Sequence, residues 1–479
     1  MLACVIAPER IDNRGEPIEP YEKLGGLHPL YILQFDREGA LTSPQTAARL
    51  LDELAAGAFT HLYLFSHGWN NSFGDATKLY RRFFLLYLEL RSKHDPHDEN
   101  ARPVFVGLHW PSIILNFPWE KGPRFAAAPQ DEDQDEDDET DTFLRARDSI
   151  AELLNPDHRP RFYALTEAHS LSQNEAAELA DILLPVYRAN ALDSDSPEPA
   201  PVAADSLIAA WNSLSGDPPQ PSPDYSKHGR IPQNAPPCEP RAAAATDFLD
   251  PRNALRVTTV LTMKDRAGVV GRNGLAPLLP RLTGSGIPVR LIGHSFGARV
   301  CLTALSAPWL HCRIDSLLLL QPAVNQYCFA ASIPGLGFMT KGGFVAALKR
   351  IAQPVYTTFS RKDVPLHSLF HLAARRPEDR GEIRFAAEGP SEFSALGGYG
   401  PAGLPASEFK EEKIHSAGLR YSVPAGVRIL ALNGSAGEIS GHGDVVSDYT
   451  CWALIDQEKS GQEKRGQKQV PAAGATGHS

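Results

Sequence analysis

The sixteen residues IPVRLIGHSFGARVCL, positions 287–302, decide how the rest of the chain is read. An apolar run from Ile287 to Ile292 enters the turn Gly293-His294-Ser295-Phe296-Gly297. An apolar helix through Ala298, Arg299, Val300, Cys301 and Leu302 leaves it. Glycines on both sides of the serine let a strand turn sharply into a helix, lifting Ser295 above the sheet edge. The start of that helix aims unsatisfied amides and the positive end of its dipole at the same point. A bare G-x-S-x-G arises by chance in roughly one chain in five of this length. The strand before it and the helix after it give this one its weight.

Outward from that stretch the same rhythm recurs. Upstream, strands are expected at Pro29 to Phe35, His61 to Phe65 and Val104 to Leu108. Between them lie a helix opened by Ser43-Pro44, with serine as cap and proline in the first turn, and one with Leu79, Phe83, Leu86 and Leu90 at helical spacing. Downstream, strands are expected at Ile314 to Leu320, Val355 to Phe359 and Val427 to Leu432. Strands alternating with helices define the fold class as α/β, a parallel sheet with crossover helices. Val257 to Met263 reads as a short extended segment, and Leu275, Leu278, Leu279 and Leu282 as a helical face interrupted by Pro277 and Pro280.

The rhythm breaks between about 113 and 252, which reads as an insertion over the core. It holds an acidic run, a helix over Asn174 to Asn190 with Leu179, Ile182, Leu183 and Val186 on one side, and a loop or disordered stretch from Gly216 to Pro240. The expected organisation is therefore an N-terminal arm over 1–28, a first core half over 29–112, the insertion over 113–252, a second core half over 253–456 and a polar, disordered tail over 457–479.

Composition bounds the function. The 479 residues are 42% hydrophobic and 22% charged, ordinary globular usage. Nine of the eleven residues from Asp131 to Asp141 are acidic, so about −1 of the net charge of −10 belongs to everything else. The run is expected to be solvated and mobile, with a role in binding a protein partner as the other reading. With no basic stripe to neutralise phosphates, nucleic acid is not expected as a partner. No stretch approaches the ~18 apolar residues of a membrane-spanning helix. The apolar Met1 to Ala7 is ended by Pro8, Glu9 and Arg10, short of a signal sequence. Six cysteines without CxxC pairs read as reduced thiols, making cytoplasm the expected location. Neither a metal motif nor a phosphate-binding glycine loop is present, and no cofactor is expected.

A serine nucleophile needs a base, a group to orient that base, and donors for the oxyanion that forms. After the expected Val355 to Phe359 strand comes Ser360-Arg361-Lys362-Asp363; after Val427 to Leu432 comes a small-residue loop containing Gly441-His442-Gly443. The order Ser295, Asp363, His442 is one known nucleophile–acid–base order, and each residue follows a separate strand, where crevices open in parallel sheets. His294, His367 and His371 are rival bases; Asp315, Asp444 and Asp448 are rival acids. His67-Gly68-Trp69-Asn70, after an earlier strand, nominates the amide of Trp69, with that of Phe296, as oxyanion donors. His67 itself is expected to support this loop. Trp69, Phe73, Trp110, Phe117 and Trp119 read equally as an apolar acyl pocket or as ordinary core.

The stretches His67-Gly68-Trp69-Asn70-Asn71-Ser72-Phe73, Trp110-Pro111-Ser112 and Gly293-His294-Ser295-Phe296-Gly297-Ala298-Arg299 resemble esterase- and lipase-like members of the serine α/β-hydrolase superfamily. The likeness covers residues 29–112 and 256–456. It implies an eight-strand-type, doubly wound sheet, a Ser–Asp–His triad and hydrolysis of a small-molecule ester or lipid through an acyl-enzyme, with the insertion as a lid. A carboxylesterase, a lipase or phospholipase, and a non-catalytic scaffold of the same fold remain the alternatives.

Overall fold

Alternation along the strands shows how the sheet is built. In the computed structural model, which describes residues 21–69, 71–94, 100–112, 136–190, 204–212, 249–333, 341–366 and 394–469, Leu62, Leu64, Val104, Val106, Leu291, Leu317 and Leu319 enter one apolar layer. Their neighbours Tyr63, Phe65, Phe105, Ile292, Leu318 and Leu320 enter a second. Successive strand side chains point to opposite faces, so a sheet with both faces apolar must be covered on both.

The sheet has nine strands: β1 (Glu22–Leu24), β2 (His28–Gln34), β3 (His61–Ser66), β4 (Pro103–His109), β5 (Val289–His294), β6 (Ser316–Leu320), β7 (Val355–Phe359), β8 (Phe409–Lys413) and β9 (Ile429–Asn433). Their spatial order is β1-β2-β4-β3-β5-β6-β7-β9-β8, and every pairing is parallel except β1 with β2. The fold is thus mixed α/β with a mostly parallel sheet. Two strands, β1 and β8, lie outside those expected; both sit at the sheet edges.

One face is covered by α1 (Pro44–Ala55), α8 (Ala276–Thr283) and α9 (Phe296–Ser306), the other by α2 (Phe73–His94) and a closing helix, Asp448–Gln469. Ser43 stands at the start of α1 as expected, but its hydroxyl accepts from the Gln34 amide (2.9 Å) and makes no capping bond. Helices α3 (Glu136–Leu153), α4 (Arg159–Glu167), α5 (Gln173–Asn190), α6 (Ala204–Asn212) and α7 (Pro251–Val269) follow within and just after the inserted stretch, and α7 packs on α9. On α5 the expected face Leu179, Ile182, Leu183 and Val186 is buried.

Three expectations are corrected here. Val257 to Met263 is not extended but the middle of α7, whose start Asp250 caps through the Arg252 amide (2.8 Å) with Pro251 in the first turn. The tail is not disordered from Gln457: the closing helix runs to Gln469, and Gln457 and Glu458 are buried. From Glu136 on, the acidic run is the first turn and a half of α3; its start at Asp131, like the stretch from Gly216 to Pro240, lies outside the described residues. Among the described residues no helix is long and apolar enough to cross a membrane, and no group of side chains is arranged to hold a metal ion. Cys301, Cys312, Cys328 and Cys451 are free thiols.

Candidate active site

In parallel strands all carboxyl ends fall on one edge, and loops from different strands meet there. Ser295 follows β5, Asp363 follows β7, His442 follows β9 and His67-Gly68-Trp69 follows β3. Ser295 is the first residue past its strand and the residue before α9, with φ 53° and ψ −123°. Such a conformation costs a non-glycine residue about 1–3 kcal/mol, and strain of this kind clusters at functional positions. Its amide donates to the Leu320 carbonyl (3.1 Å) and its carbonyl accepts from Ala298 and Ala323 (both 3.1 Å), which fixes the turn. A Cβ on Gly297 would lie 2.0 Å from the Ser66 carbonyl oxygen, so only glycine lets the first turn of α9 close against β3.

The three side chains singled out from the sequence meet. Ser295 Oγ lies 2.8 Å from His442 Nε2, and His442 Nδ1 lies 2.7 Å from Asp363 Oδ2. Asp363 is a buried acceptor, so Nδ1 carries the proton it donates, and Nε2 is left with the lone pair facing the serine hydroxyl. The other carboxylate oxygen, Oδ1, accepts from the Leu366 amide (3.1 Å). Ser360 Oγ donates to the Ile439 carbonyl (2.8 Å) and ties the loop of the acid to the loop of the histidine. Ser295 and Asp363 are fully buried and His442 is 4% exposed.

The rivals are placed elsewhere. His294 touches His442 (ring centroids 4.9 Å apart), but its Nε2 donates to the His442 carbonyl (3.0 Å) and does not face Ser295. Burial, then the nearness of the His442 ring, holds the His294 pKa well below its ordinary value, so the ring is neutral. Asp315 precedes β6, at the opposite edge of the sheet. Asp444 Oδ2 accepts from the amide and hydroxyl of Ser440 (2.7 and 2.6 Å), and Asp448 opens the closing helix. His367 and His371 lie outside the described residues.

The loop after β3 is built around His67. The Trp110 amide donates to His67 Nε2 (3.2 Å), so the proton sits on Nδ1, which donates to the Gly68 carbonyl (2.6 Å). Burial, then the neighbouring His109, pushes the His67 pKa down to about 3 and keeps the ring neutral. Asn71 Nδ2 also reaches the Gly68 carbonyl (3.3 Å) and that of Trp69 (2.6 Å). Because a trans peptide sets N–H opposite C=O, pinning the Gly68 carbonyl turns the Trp69 amide the other way. A Cβ on Gly68 would stand 2.6 Å from that of Ser295, so the loop abuts the serine. The other nominated amide, that of Phe296, opens α9 and has no acceptor within the helix.

The aromatic residues divide. Trp69 lies edge-on to Phe296 (5.2 Å) and tilted over His442 (5.8 Å), at the site. Trp110 stacks on His67 (5.3 Å, 6°), beneath the loop, and Phe73 packs on His109 and Tyr21. Phe117, Trp119 and Asn70 lie outside the described residues. One polar residue at the site was not singled out from the sequence: Gln321, after β6, whose side chain contacts the loop of His442. A lone glutamine has no motif, and only the observation that it follows a strand on the same edge pointed to it.

No protein-family model, curated protein or solved structure matches the chain.

Proposed function

We propose that the protein is a serine hydrolase of the α/β-hydrolase type that cleaves carboxylic esters through an acyl-enzyme. The observation that carries the reading is the continuous hydrogen-bonded chain from Ser295 Oγ through His442 to Asp363, at 2.8 and 2.7 Å, anchored on a strained strand-to-helix turn. The positions along the chain also support it: serine after β5, carboxylate after β7, histidine later still, and a glycine-containing loop between β3 and the helix that follows it.

In this reading His442 Nε2 takes the proton of Ser295 as Oγ attacks the ester carbonyl carbon. Asp363 holds the ring in the tautomer that can accept it and stabilises the imidazolium that forms. The carbonyl oxygen, now negative, lies between the amides of Phe296 and Trp69, and each such donor typically contributes ~2.7–4 kcal/mol. His442 then returns the proton to the departing alcohol. Water, deprotonated by the same nitrogen, attacks the acyl-serine and releases the acid. No step calls for a cofactor.

The test is covalent labelling by a fluorophosphonate probe. Wild type should label at one serine and Ser295→Ala should not; well-folded wild type that takes no label sinks the enzyme reading and leaves a scaffold. A lipase or phospholipase is favoured as a second reading by one observation, the complete burial of the Ser295 hydroxyl. A rise in turnover above the critical micelle concentration of the substrate would select it, and a smooth saturation curve would select the carboxylesterase.

A further inference from the structure

Only two non-glycine residues among those described have positive φ: Ser295 (53°) and Gln321 (38°). The first belongs to the sharp strand-to-helix turn between β5 and α9. The second sits one residue past β6, fully buried, at a position where glycine would remove the strain. A side chain kept at such a cost has work to do, and its bonds show what. The Gln321 amide donates to Thr358 Oγ1 (2.9 Å), and the Thr358 hydroxyl donates to Gln321 Oε1 (3.1 Å). That fixes which end of the side-chain amide is oxygen, so the NH2 end faces away from Thr358. There it meets three carbonyls, which only accept: Gly441 (3.3 Å), His442 (3.4 Å) and Asp444 (3.4 Å). The His442 carbonyl receives a further donor, His294 Nε2, at 3.0 Å.

These carbonyls belong to one tight turn. Ser440 and Asp444 close it through the Asp444 carboxylate, and the Asp444 amide donates back to Gly441 (3.2 Å). His442 stands at its centre between two glycines, with the buried Ile439 and Val445 anchoring the chain on either side of the turn. We propose that Gln321, acting with His294, is a positioning residue that clamps the main chain of the 440–444 turn and so sets the reach of the His442 imidazole to Ser295 and Asp363. The inference rests on the hydrolase reading for its effect on rate, but the clamp itself is a statement about the His442–Asp363 bond. Two N–H groups shared among three carbonyls make a soft hold, and the shorter bond from His294 completes it.

The variants are Gln321→Met, which keeps the length and loses both donors, and Gln321→Gly, which relieves the backbone and loses the side chain. For an ester substrate, kcat should fall about ten- to a hundredfold in both with KM nearly unchanged, because a base displaced by a fraction of an ångström loses rate and not binding. The second readout is the downfield proton resonance of His442 Nδ1–H, assigned by its absence in His442→Ala. It should be sharp in wild type and broadened or lost in both variants. Melting temperatures for Gln321→Gly at or near the wild-type value, with kcat reduced, would separate positioning from a merely structural role. If Gln321→Met does not fold, Thr358→Val strips the other anchor of the same amide and should move both readouts in the same direction by less. Wild-type kcat together with an unchanged resonance in the glutamine variants overturns the clamp. A wild type that shows the resonance but takes no fluorophosphonate overturns the hydrolase reading, and the resonance in the variants then decides the clamp by itself.

Discussion

A single six-residue strand, β5, has a buried polar cluster at each end, and the two are built differently. At its start Arg290 is fully buried beside Asp315 (3.2 Å) and Glu458 (4.0 Å), and Glu458 also faces Arg91 (3.5 Å) and accepts from the hydroxyls of Tyr63 (2.9 Å) and Tyr87 (2.8 Å). Burial pushes the Glu458 carboxyl up, but the guanidiniums of Arg290 and Arg91, with His61, outweigh it and bring its pKa below the ordinary value. Most members stand on regular elements: β3, β5, α2 and the closing helix. At the other end stand His294, the last residue of the strand, and Ser295, with His442 and Gln321 joined through them on turns; Ser295 and Gln321 have strained backbone conformations. One end gathers several permanent charges on unstrained backbone; the other joins a serine, a histidine and the Asp363 carboxylate around two residues of strained backbone. A buried charge pair resists being separated, whereas strained backbone of this kind clusters at functional positions.

Breaking the reactive end should leave the fold intact. Ser295→Ala should abolish ester turnover, a loss on the order of 10⁶-fold, with the melting temperature at least that of wild type, since alanine still fits the turn. Asp363→Asn should cost about 10⁴-fold in kcat, measured on protein whose circular dichroism matches wild type; near-normal turnover would remove Asp363 from the mechanism. Breaking the charged end should do the reverse. Glu458→Gln removes the carboxylate that Arg290 and Arg91 share and should lower the unfolding free energy by about 3–5 kcal/mol, read by urea titration, while activity per folded molecule stays within a factor of two.

The smallest effect separates the ends by pH. The His67 pKa of about 3 and the still-depressed His294 lie below the ~6.5 of an unfolded histidine. The unfolded chain therefore binds more protons, and stability is lost as pH falls below ~6.5, by up to about 1.4 kcal/mol per unit for each ring. Glu458, lowered from the ordinary carboxylate range, keeps its contribution until pH falls below ~4. His67→Gln should flatten the stability curve between pH 6 and 5, and Glu458→Gln only below pH 4. Identical slopes in wild type and His67→Gln would mean that the ring is not held neutral.

What the sequence disclosed follows the same division. Strands buried on both faces read directly as apolar runs, which is why Val355–Phe359 is found where expected. Residues Phe409–Lys413, with the sequence FKEEK, carry the charges that protect an edge strand from pairing outward, and so read as loop. The β-branched run Val257-Thr258-Thr259-Val260 favours a strand by propensity, but Asp250-Pro251 starts a helix ahead of it and burial against α9 keeps it helical. Ser295, Asp363 and His442 were legible because each follows its own strand and chemistry restricts the residue types. Gln321 and Glu458 were not, since a lone amide after an apolar strand or a carboxylate in a polar stretch carries no sign of the distant partner it meets.

The closing helix has a consequence for how the chain is made. Arg290 occupies the middle of the sheet, and the carboxylate at position 458 that helps neutralise it leaves the ribosome 168 residues later. Until that segment arrives the buried guanidinium has only Asp315 of its two carboxylates, so the central strands reach their full charge balance when the closing helix docks. Ser295 is thus synthesised long before the helix that completes the other end of its strand.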